Sequence, residues 1–469
     1  MDFRQATRNP LLLLTIALSS ILLVPALFMD GMFMDGLIYT CVGKNLAAGT
    51  GTFWDPQFST TYMISYHEQP PLLFGMEAIF FKLLGTSLYV ERTYCLCMAV
   101  LCFLALRFTW NGIFTKESPE QKLLWVPVLF FFISPVTFWA YNNNVEEASM
   151  VVFAVASAGF QLQGIRSSKN GYGWFVLGGF ALIASSLCKG AQGLFPVIIP
   201  MTWFIFVRTI SFRKAVVANL IVLVIPVLFY VALSFYEPAV HSYSSYFHDR
   251  IAATFNTAGT ATTSSRFFIL FELLLDILPA LFVGVLLAIS ARRRTTTYKK
   301  EAIFFFVIGL SGILPLMVTL EQRGFYLVTG LPFITIAMAL LTLDGAQVLH
   351  QKIQNRLLAK RLVLALTILL FAGTVVATIA LAGTPKRDAD MLHDVALIGK
   401  HCGPSEVVST NSSTWSNWSL QGYLMRYHAI SLSKLDTAAS FFIVLDGETR
   451  PQDYSPVNLG TKRYHLYQR

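Results

Sequence analysis

The sequence predicts an α-helical polytopic membrane protein of about 11 transmembrane helices with a small C-terminal α/β extramembrane domain. Composition is the first reason: 55% of the 469 residues are hydrophobic, only 13% are charged, and the mean hydropathy is +0.59. A soluble fold of this composition would expose large apolar surfaces. Second, long apolar runs recur along the chain, and a run of about 20 residues crosses a bilayer core as a helix. Third, the chain becomes polar after Pro385.

Taken in chain order, the predicted spans are 11–29, 89–107, 123–140, 146–163, 174–188, 191–207, 215–236, 267–290, 302–319, 325–343 and 362–382. No small-residue cleavage site follows the first run, which favours an uncleaved helix over a secretory signal. Only Lys189-Gly190 separates the fifth span from the sixth.

The net charge of +9 reflects topology. If the amino terminus is cytoplasmic, the short loops on that side hold 19 of the 35 Lys and Arg residues and only five acidic ones. This bias is typical of cytoplasmic loops. It predicts a multi-pass inner (plasma) membrane protein with a periplasmic or extracellular C-terminal domain. The same charge distribution argues against nucleic acid as a partner. Membrane lipids are the expected partners of the apolar surface.

Two segments of the outer face are long, at about 30–88 and 237–266, and the chain divides into a transmembrane domain at 1–383 and a small domain at 384–469. In the small domain, 406–410, 429–432 and 440–445 read as strands and 418–426 as a helix. Its role is either a structural cap or acceptor recognition. The six cysteines have no spacing typical of a disulfide or metal site.

Two acidic residues follow the first span in the same Met-Asp-Gly context, Asp30 and Asp35. Carboxylates this close to a bilayer are costly to desolvate and are usually functional. Asp35 could deprotonate an incoming hydroxyl or amine. Its structural alternative is the N-cap of a helix over 37–46, because Asp is a favoured cap.

Further acidic candidates lie in two other outer segments. Glu68 precedes Pro70-Pro71, which stiffen the backbone, and His67 precedes Glu68. A proline-stiffened turn with incidental charges is the alternative. Glu146 and Glu147 open the fourth span after an Asn triplet, where acidic residues are also favoured by the helix dipole.

Two cations lie on the outer face against the charge bias, Lys189 and Arg323. A lipid phosphate at the bilayer surface would be a partner for either, and Arg323 could bind it bidentately. A salt bridge to Glu321 or a loop carboxylate is the alternative for Arg323. Acidic groups and cations from five outer turns together indicate transfer chemistry on a lipid phosphate, one set activating the acceptor and the other stabilising the leaving phosphate.

With these motifs the chain resembles the GT-C superfamily of membrane glycosyltransferases, in particular the protein O-mannosyltransferase-like and aminoarabinose-transferase-like enzymes. The resemblance covers roughly residues 10–345. The segments that carry it are Asp35 with Tyr39, Asn45–Gly49, Glu68–Leu72, Asn142–Glu146, Lys189–Pro196, and Gly324–Leu327 with Leu331-Pro332.

The resemblance implies inverting transfer of a sugar from a polyprenyl-phosphate donor to a glycan, lipid or protein acceptor at the periplasmic face. It assigns Asp35 and Glu146 to catalysis, and it assigns substrate binding to a larger set: Tyr39, His67, Glu68, Lys189, Arg323 and Tyr326. A divalent metal ion is the one cofactor it allows for, with Glu68 as a ligand and His248 or His241 as a second ligand from a later loop. Gln69 stands where relatives often have Lys or His.

Two other functions compete with a glycosyltransferase. One is a transporter or flippase for a lipid-linked saccharide, although transporters usually place polar groups near mid-membrane and often contain repeats, and this chain shows no repeat. The other is an oligosaccharide ligase or polymerase, which shares substrates and topology but moves a preassembled glycan.

Overall fold

The computed structural model describes residues 9–167, 171–252, 261–291, 297–434, 436, 438–449 and 452–469. Its helices are α1 (Pro10–Phe28), α2 (Met34–Ala47), α3 (Leu72–Leu84), α4 (Val90–Ile113), α5 (Trp125–Ile133), α6 (Pro135–Asn142), α7 (Glu146–Arg166), α8 (Tyr172–Lys189), α9 (Ile199–Phe206), α10 (Phe212–Leu233), α11 (Glu237–Ser245), α12 (Phe268–Ser290), α13 (Lys299–Ile313), α14 (Leu331–Leu341), α15 (Leu343–Asn355), α16 (Leu357–Leu381), α17 (Ala389–Cys402), α18 (Ser412–Trp415) and α19 (Trp418–His428).

Within the described residues, eight helices are long and apolar enough to cross a membrane, or up to ten if each of two bent helix pairs is one span. The polytopic helical fold is thus as predicted, but the count of eleven is not confirmed. The difference arises mainly at Gly190, because Tyr172–Phe206 forms one candidate of 35 residues. One crossing needs only about 20 residues.

The predicted third span is broken at Pro135. The helical segments Pro119–Ile133 and Pro135–Asn142 meet at 70°, since proline has no backbone N–H to donate and clashes with the preceding turn. Asp276 of α12 accepts a hydrogen bond from the freed Val136 N–H at 2.8 Å. Side chains of neighbouring helices often satisfy backbone groups at such breaks in membrane proteins.

The chain forms two compact units. We call Met1–Pro25, Leu96–Tyr141 and Val145–Ala380 the membrane unit, and Ala26–Cys95, Asn142–Asn144 and Leu381–Arg469 the loop unit. The loop unit thus contains the first predicted outer loop together with the polar C-terminal segment. The domain boundary at 383/384 stays a prediction.

A five-stranded sheet organises the C-terminal segment. Its strands are β1 (Val407–Thr410), β2 (Ser431–Lys434), β3 (Phe441–Leu445), β4 (Ser455–Val457) and β5 (Tyr464–Gln468). They lie in the order β2-β1-β3-β5-β4, parallel in β2-β1-β3 and antiparallel beyond. The three predicted strands and the predicted helix are confirmed, each shifted by one or two residues at an end. The sequence interpretation missed α17, α18, β4 and β5.

A fully buried carboxylate fixes the start of β5. Asp394 of α17 accepts backbone N–H bonds from three consecutive residues, Lys462, Arg463 and Tyr464, at 2.7–2.9 Å. Hydrogen bonds to a charged acceptor are among the strong ones, and leaving such donors unsatisfied is costly.

We expect Asp394→Ala to destabilise the loop unit by about 3 kcal/mol, because three backbone N–H groups would lose a buried, charged acceptor. Thermal unfolding of the purified protein, followed by circular dichroism, measures the loss. Asp390→Ala is the matched control, since the pair between Asp390 and Lys462 is solvent-exposed. Equal melting temperatures for both variants would contradict the assignment.

Candidate functional site

The strongest ionic feature of the membrane unit is a buried cluster that we call the lysine–glutamate cluster: Glu146, Glu147, Lys189 and Tyr326. The Lys189 ammonium donates to Glu146 and forms an ion pair with Glu147. Only 9% of Lys189, 2% of Glu146 and none of Glu147 is exposed. The Lys189 Nζ also lies 4.6 Å from the centroid of the Tyr326 ring. Charges this deeply buried persist only when they are paired.

Local sequence explains why these groups meet. Glu146 and Glu147 are in the first turn of α7, and Lys189 is the last residue of α8. Both placements are favoured by the helix dipole. Since α7 and α8 are consecutive helices joined by a short connection, the start of one lies beside the end of the next. Gly190 then ends α8 with a φ of +69°, which glycine adopts at no steric cost.

Close packing is a second constraint on position 190. A Cβ there would lie 2.5 Å from the Tyr246 hydroxyl oxygen, so the Tyr246 side chain would have to shift for any larger residue. Burial raises the pKa of Tyr246 to about 12, and Glu146 adds to the rise. Burial likewise raises the pKa of Tyr326 to about 12, although Lys189 opposes the rise. Both phenols are therefore neutral hydrogen-bond donors at physiological pH.

The turn that carries Arg323 is held by its neighbour Gln322. The Gln322 side chain donates to the carbonyls of Arg266 and Thr319 and accepts from the Ile269 N–H, at 2.9–3.0 Å. It is almost fully buried. Arg323 itself is exposed. The proposed partner of Arg323, Glu321, instead pairs with Arg250 at 3.3 Å, and Arg323 forms no ion pair within the part of the chain that the structure describes.

We expect Gln322→Ala to lower the sugar-transfer activity that the sequence motifs imply by about fivefold or more, because three hydrogen bonds position the turn leading to Tyr326. The steady-state rate of sugar transfer measures it. Gln192→Ala is the matched control: Gln192 is only partly buried and its amide donates to a single hydroxyl, that of Thr329. A rate for Gln322→Ala equal to that of the control would rule out a positioning role.

In the loop unit, Asp35 lies in the first turn of α2, and the cap position belongs to Phe33. The N-cap alternative for Asp35 is therefore wrong. Gly36 is tightly constrained, since a Cβ there would be 1.8 Å from the Asn143 carbonyl oxygen. Tyr39 is buried one turn further along α2 and its ring contacts Phe74 of α3.

Asp30 holds segments of the loop unit together through both its carboxylate and its backbone. Its carboxylate accepts from the Tyr427 hydroxyl at 2.6 Å and from the Gly31 N–H. Its backbone pairs with the 384–386 segment. These contacts give Asp30 a structural role, and the catalytic role of Asp35 stays a prediction.

Glu68 and His67 lie just before the Pro70-Pro71 pair and α3. Glu68 is partly exposed, whereas His67 is buried with its Nε2 3.2 Å from Asp55 Oδ1. His248 is exposed in the π-helical segment Tyr246–Ala252 of the membrane unit. Among the described residues, no group of three or more His, Cys, Asp or Glu could hold a metal ion. The metal ligands predicted at Glu68 and His248 stay a prediction.

Sequence reasoning missed a buried pair in the loop unit, Glu77 and Asn144. The Asn144 amide donates to Glu77, to the Gly36 carbonyl and to the Thr40 hydroxyl. Asn144 has a φ of +52°, a left-handed conformation that Asn tolerates better than most residues. A lone acidic residue within the apolar stretch 72–84 was the signal that could have revealed Glu77.

Burial raises the pKa of Glu77 from 4.5 to about 8, against the lowering effect of the Asn144 hydrogen bond. The folded state therefore holds a proton that the unfolded state releases, and stability falls as pH rises between these two values, by about 1.4 kcal/mol per unit. We expect Glu77→Gln to match the wild type near pH 4.5 and to be more stable at pH 8. Melting temperatures across this range test it; parallel curves would contradict it.

Comparisons with known proteins place the fold. No family model matches the chain, and no curated protein is similar to it in sequence. Among solved structures, ArnT from Cupriavidus metallidurans bound to undecaprenyl phosphate superposes with a TM-score of 0.67 at 15% identity, covering 97% of both chains. Its apo form gives 0.68 at 14% identity with the same coverage.

The apo oligosaccharyltransferase from Archaeoglobus fulgidus gives a TM-score of 0.60 at 12% identity, covering 93% of this chain and 65% of that one. Both neighbours are GT-C superfamily proteins, and the likeness to ArnT extends over nearly the whole of either chain. The resemblance inferred from the motifs is thereby confirmed for the fold, and the protein is a polytopic membrane protein with the GT-C fold.

Proposed function

We propose that the protein is a membrane glycosyltransferase that moves a sugar from a polyprenyl-phosphate donor to an acceptor at the outer face of the inner membrane. The observation that carries this proposal is the lysine–glutamate cluster, a buried cation and two carboxylates at the ends of two predicted spans. The same fold in ArnT binds undecaprenyl phosphate, which supports a lipid-phosphate donor here.

The chemistry needs a cation for the departing lipid phosphate. An ammonium has three N–H donors. In Lys189 two of them serve Glu146 and Glu147, and the third can be donated to a phosphate oxygen beside Tyr326. Arg323, exposed in its turn, adds a second charge for the phosphate. Such fixed charges stabilise negative charge that develops as the sugar–phosphate bond breaks.

The acceptor must lose a proton as it attacks the sugar. We assign that proton to Asp35, with Tyr39 one turn away on α2, and we assign Glu146 to holding Lys189 in place. Attack on the face opposite the phosphate gives inversion. The bond from the acceptor oxygen or nitrogen to the sugar forms, the sugar–phosphate bond breaks, and the lipid phosphate leaves as an anion.

The test is turnover by the purified protein in liposomes supplied with radiolabelled polyprenyl-phosphate hexoses and pentoses and a cell-envelope extract. Label in a new product supports the proposal. Movement of the labelled lipid across the bilayer without product would overturn it in favour of a flippase. Because the A. fulgidus oligosaccharyltransferase shares the fold, product size must also be measured: transfer of a preassembled glycan would establish a ligase.

A further inference from the structure

The loop unit carries a group of three aromatic side chains that the proposed chemistry does not use, which we call the aromatic platform: Tyr62, Trp415 and Trp418. The ring of Tyr62 lies 4.7 Å from that of Trp415 and 5.0 Å from that of Trp418. The two indoles are 6.0 Å apart. All three side chains are partly exposed.

The arrangement leaves aromatic surface for a ligand. The interplanar angles are 88°, 46° and 57°, so the rings do not cover one another as parallel stacked rings would. Trp415 packs partly against the core of the C-terminal sheet. The Trp418 indole is partly exposed, so part of its surface is open to a ligand.

Polar and charged groups border the platform. Lys434 Nζ lies 5.9 Å from the Trp415 ring centroid. The hydroxyls of Thr60 and Ser431 hydrogen-bond to each other at 2.9 Å, and the Thr61 hydroxyl donates to the Leu432 carbonyl. Burial and the nearby Glu68 carboxylate raise the pKa of Tyr62, so its hydroxyl stays protonated and can donate a hydrogen bond.

This combination matches the chemistry of a sugar ring. A pyranose has one face of weakly positive C–H bonds, which an electron-rich aromatic face attracts, and a rim of hydroxyls that need both donors and acceptors. The platform offers aromatic faces with a cation, a carboxylate and hydroxyls around them. An apolar peptide or an acyl chain has no hydroxyls to match this polar border, whereas a sugar ring offers both an apolar face and hydroxyls.

We propose that the aromatic platform binds a sugar ring of the acceptor, so that the acceptor of this protein is a glycan or glycoconjugate. That this sugar belongs to an acceptor rests on the proposed function. Sugar binding by the platform does not itself depend on transfer. Trp418 would be the main contact and Glu68 a hydrogen-bond acceptor for sugar hydroxyls.

The first measurement is titration of the full-length protein with neutral oligosaccharides, built from hexoses or from N-acetylhexosamines, followed by tryptophan fluorescence. Maltoside and glucoside detergents must be replaced by an amine-oxide detergent or nanodiscs, since their head groups would compete. We expect saturable binding that Trp418→Ala weakens about tenfold and Trp418→Phe, which keeps a ring, weakens much less. Trp174→Ala is the control, because Trp174 is a partly exposed indole of the membrane unit.

The second measurement is acceptor KM in the transfer assay, with the melting temperature of each variant recorded. A higher acceptor KM for Trp418→Ala at unchanged donor KM and melting temperature supports the platform. Transfer with an unaltered acceptor KM would overturn the platform and leave the transferase standing. Oligosaccharide binding that depends on Trp418 in a protein without transfer would support the platform and overturn the proposed function. No oligosaccharide binding by the wild type would overturn the platform.

Discussion

Replacing Lys189 with methionine is expected to abolish sugar transfer and to destabilise the membrane unit. The substitution removes the cation from between Glu146 and Glu147 and leaves two buried carboxylates without their partner. Breaking a buried ion pair in this way typically costs about 3–5 kcal/mol. Thermal unfolding and labelled-product formation measure the two effects on the same preparation.

Misfolding alone could explain a loss of transfer, so two further variants separate charge from folding. Lys189→Arg keeps the cation, and we expect it to fold and to retain part of the activity. A triple variant, Lys189→Met with Glu146→Gln and Glu147→Gln, contains no uncompensated charge. We expect it to recover much of the stability but none of the activity. An active triple variant would show that Lys189 does not contact the donor phosphate.

Replacing Asp35 with asparagine is the second large expected effect. The change is isosteric and Asp35 lies in the first turn of α2, so we expect normal insertion and a melting temperature within a few degrees of the wild type. The rate of transfer should fall by a factor of about 10² or more, which is the usual contribution of a general base.

Asp30→Asn is the matched control for Asp35. It lies five residues earlier in the same Met-Asp-Gly context, and its carboxylate binds the Tyr427 hydroxyl within the loop unit. We expect Asp30→Asn to lower stability moderately and to leave turnover within a few-fold of the wild type. The opposite pattern, with Asp30 essential and Asp35 dispensable, would move the reactive acid to Asp30.

Much of the fold could be predicted because hydrophobicity and charge act locally. The predicted apolar runs fall in candidate membrane helices or bent helix pairs, although 174–188 and 191–207 share one candidate. Three strands and a helix of the C-terminal segment were located within two residues. The break at Pro135 was not predicted, because the apolar pattern runs on through it. Its geometry depends on Asp276, 140 residues later in the chain.

Part of the candidate site could be predicted from local sequence, and part could not. Lys189 stood out in the sequence because a lone cation between two outer-face spans needs a partner, and Glu146 stood out at a helix start. That these two form a buried cluster with Glu147 and Tyr326 required the packing of α7 against α8. Glu77 and Gln322 went unnoticed because their significance lies in burial and in hydrogen bonds to residues distant in sequence.

The sequence by itself determined the membrane-spanning helices, the acidic and basic residues between them, and a polar C-terminal segment, because each follows from the composition of a short stretch. Only the tertiary structure decided which charged residues form ion pairs and that the Asp30 carboxylate accepts a hydrogen bond from Tyr427. It also decided that the ring of Tyr62 contacts those of Trp415 and Trp418. Those relations join residues up to several hundred positions apart, and no local pattern of hydrophobicity or charge encodes a contact over such a separation.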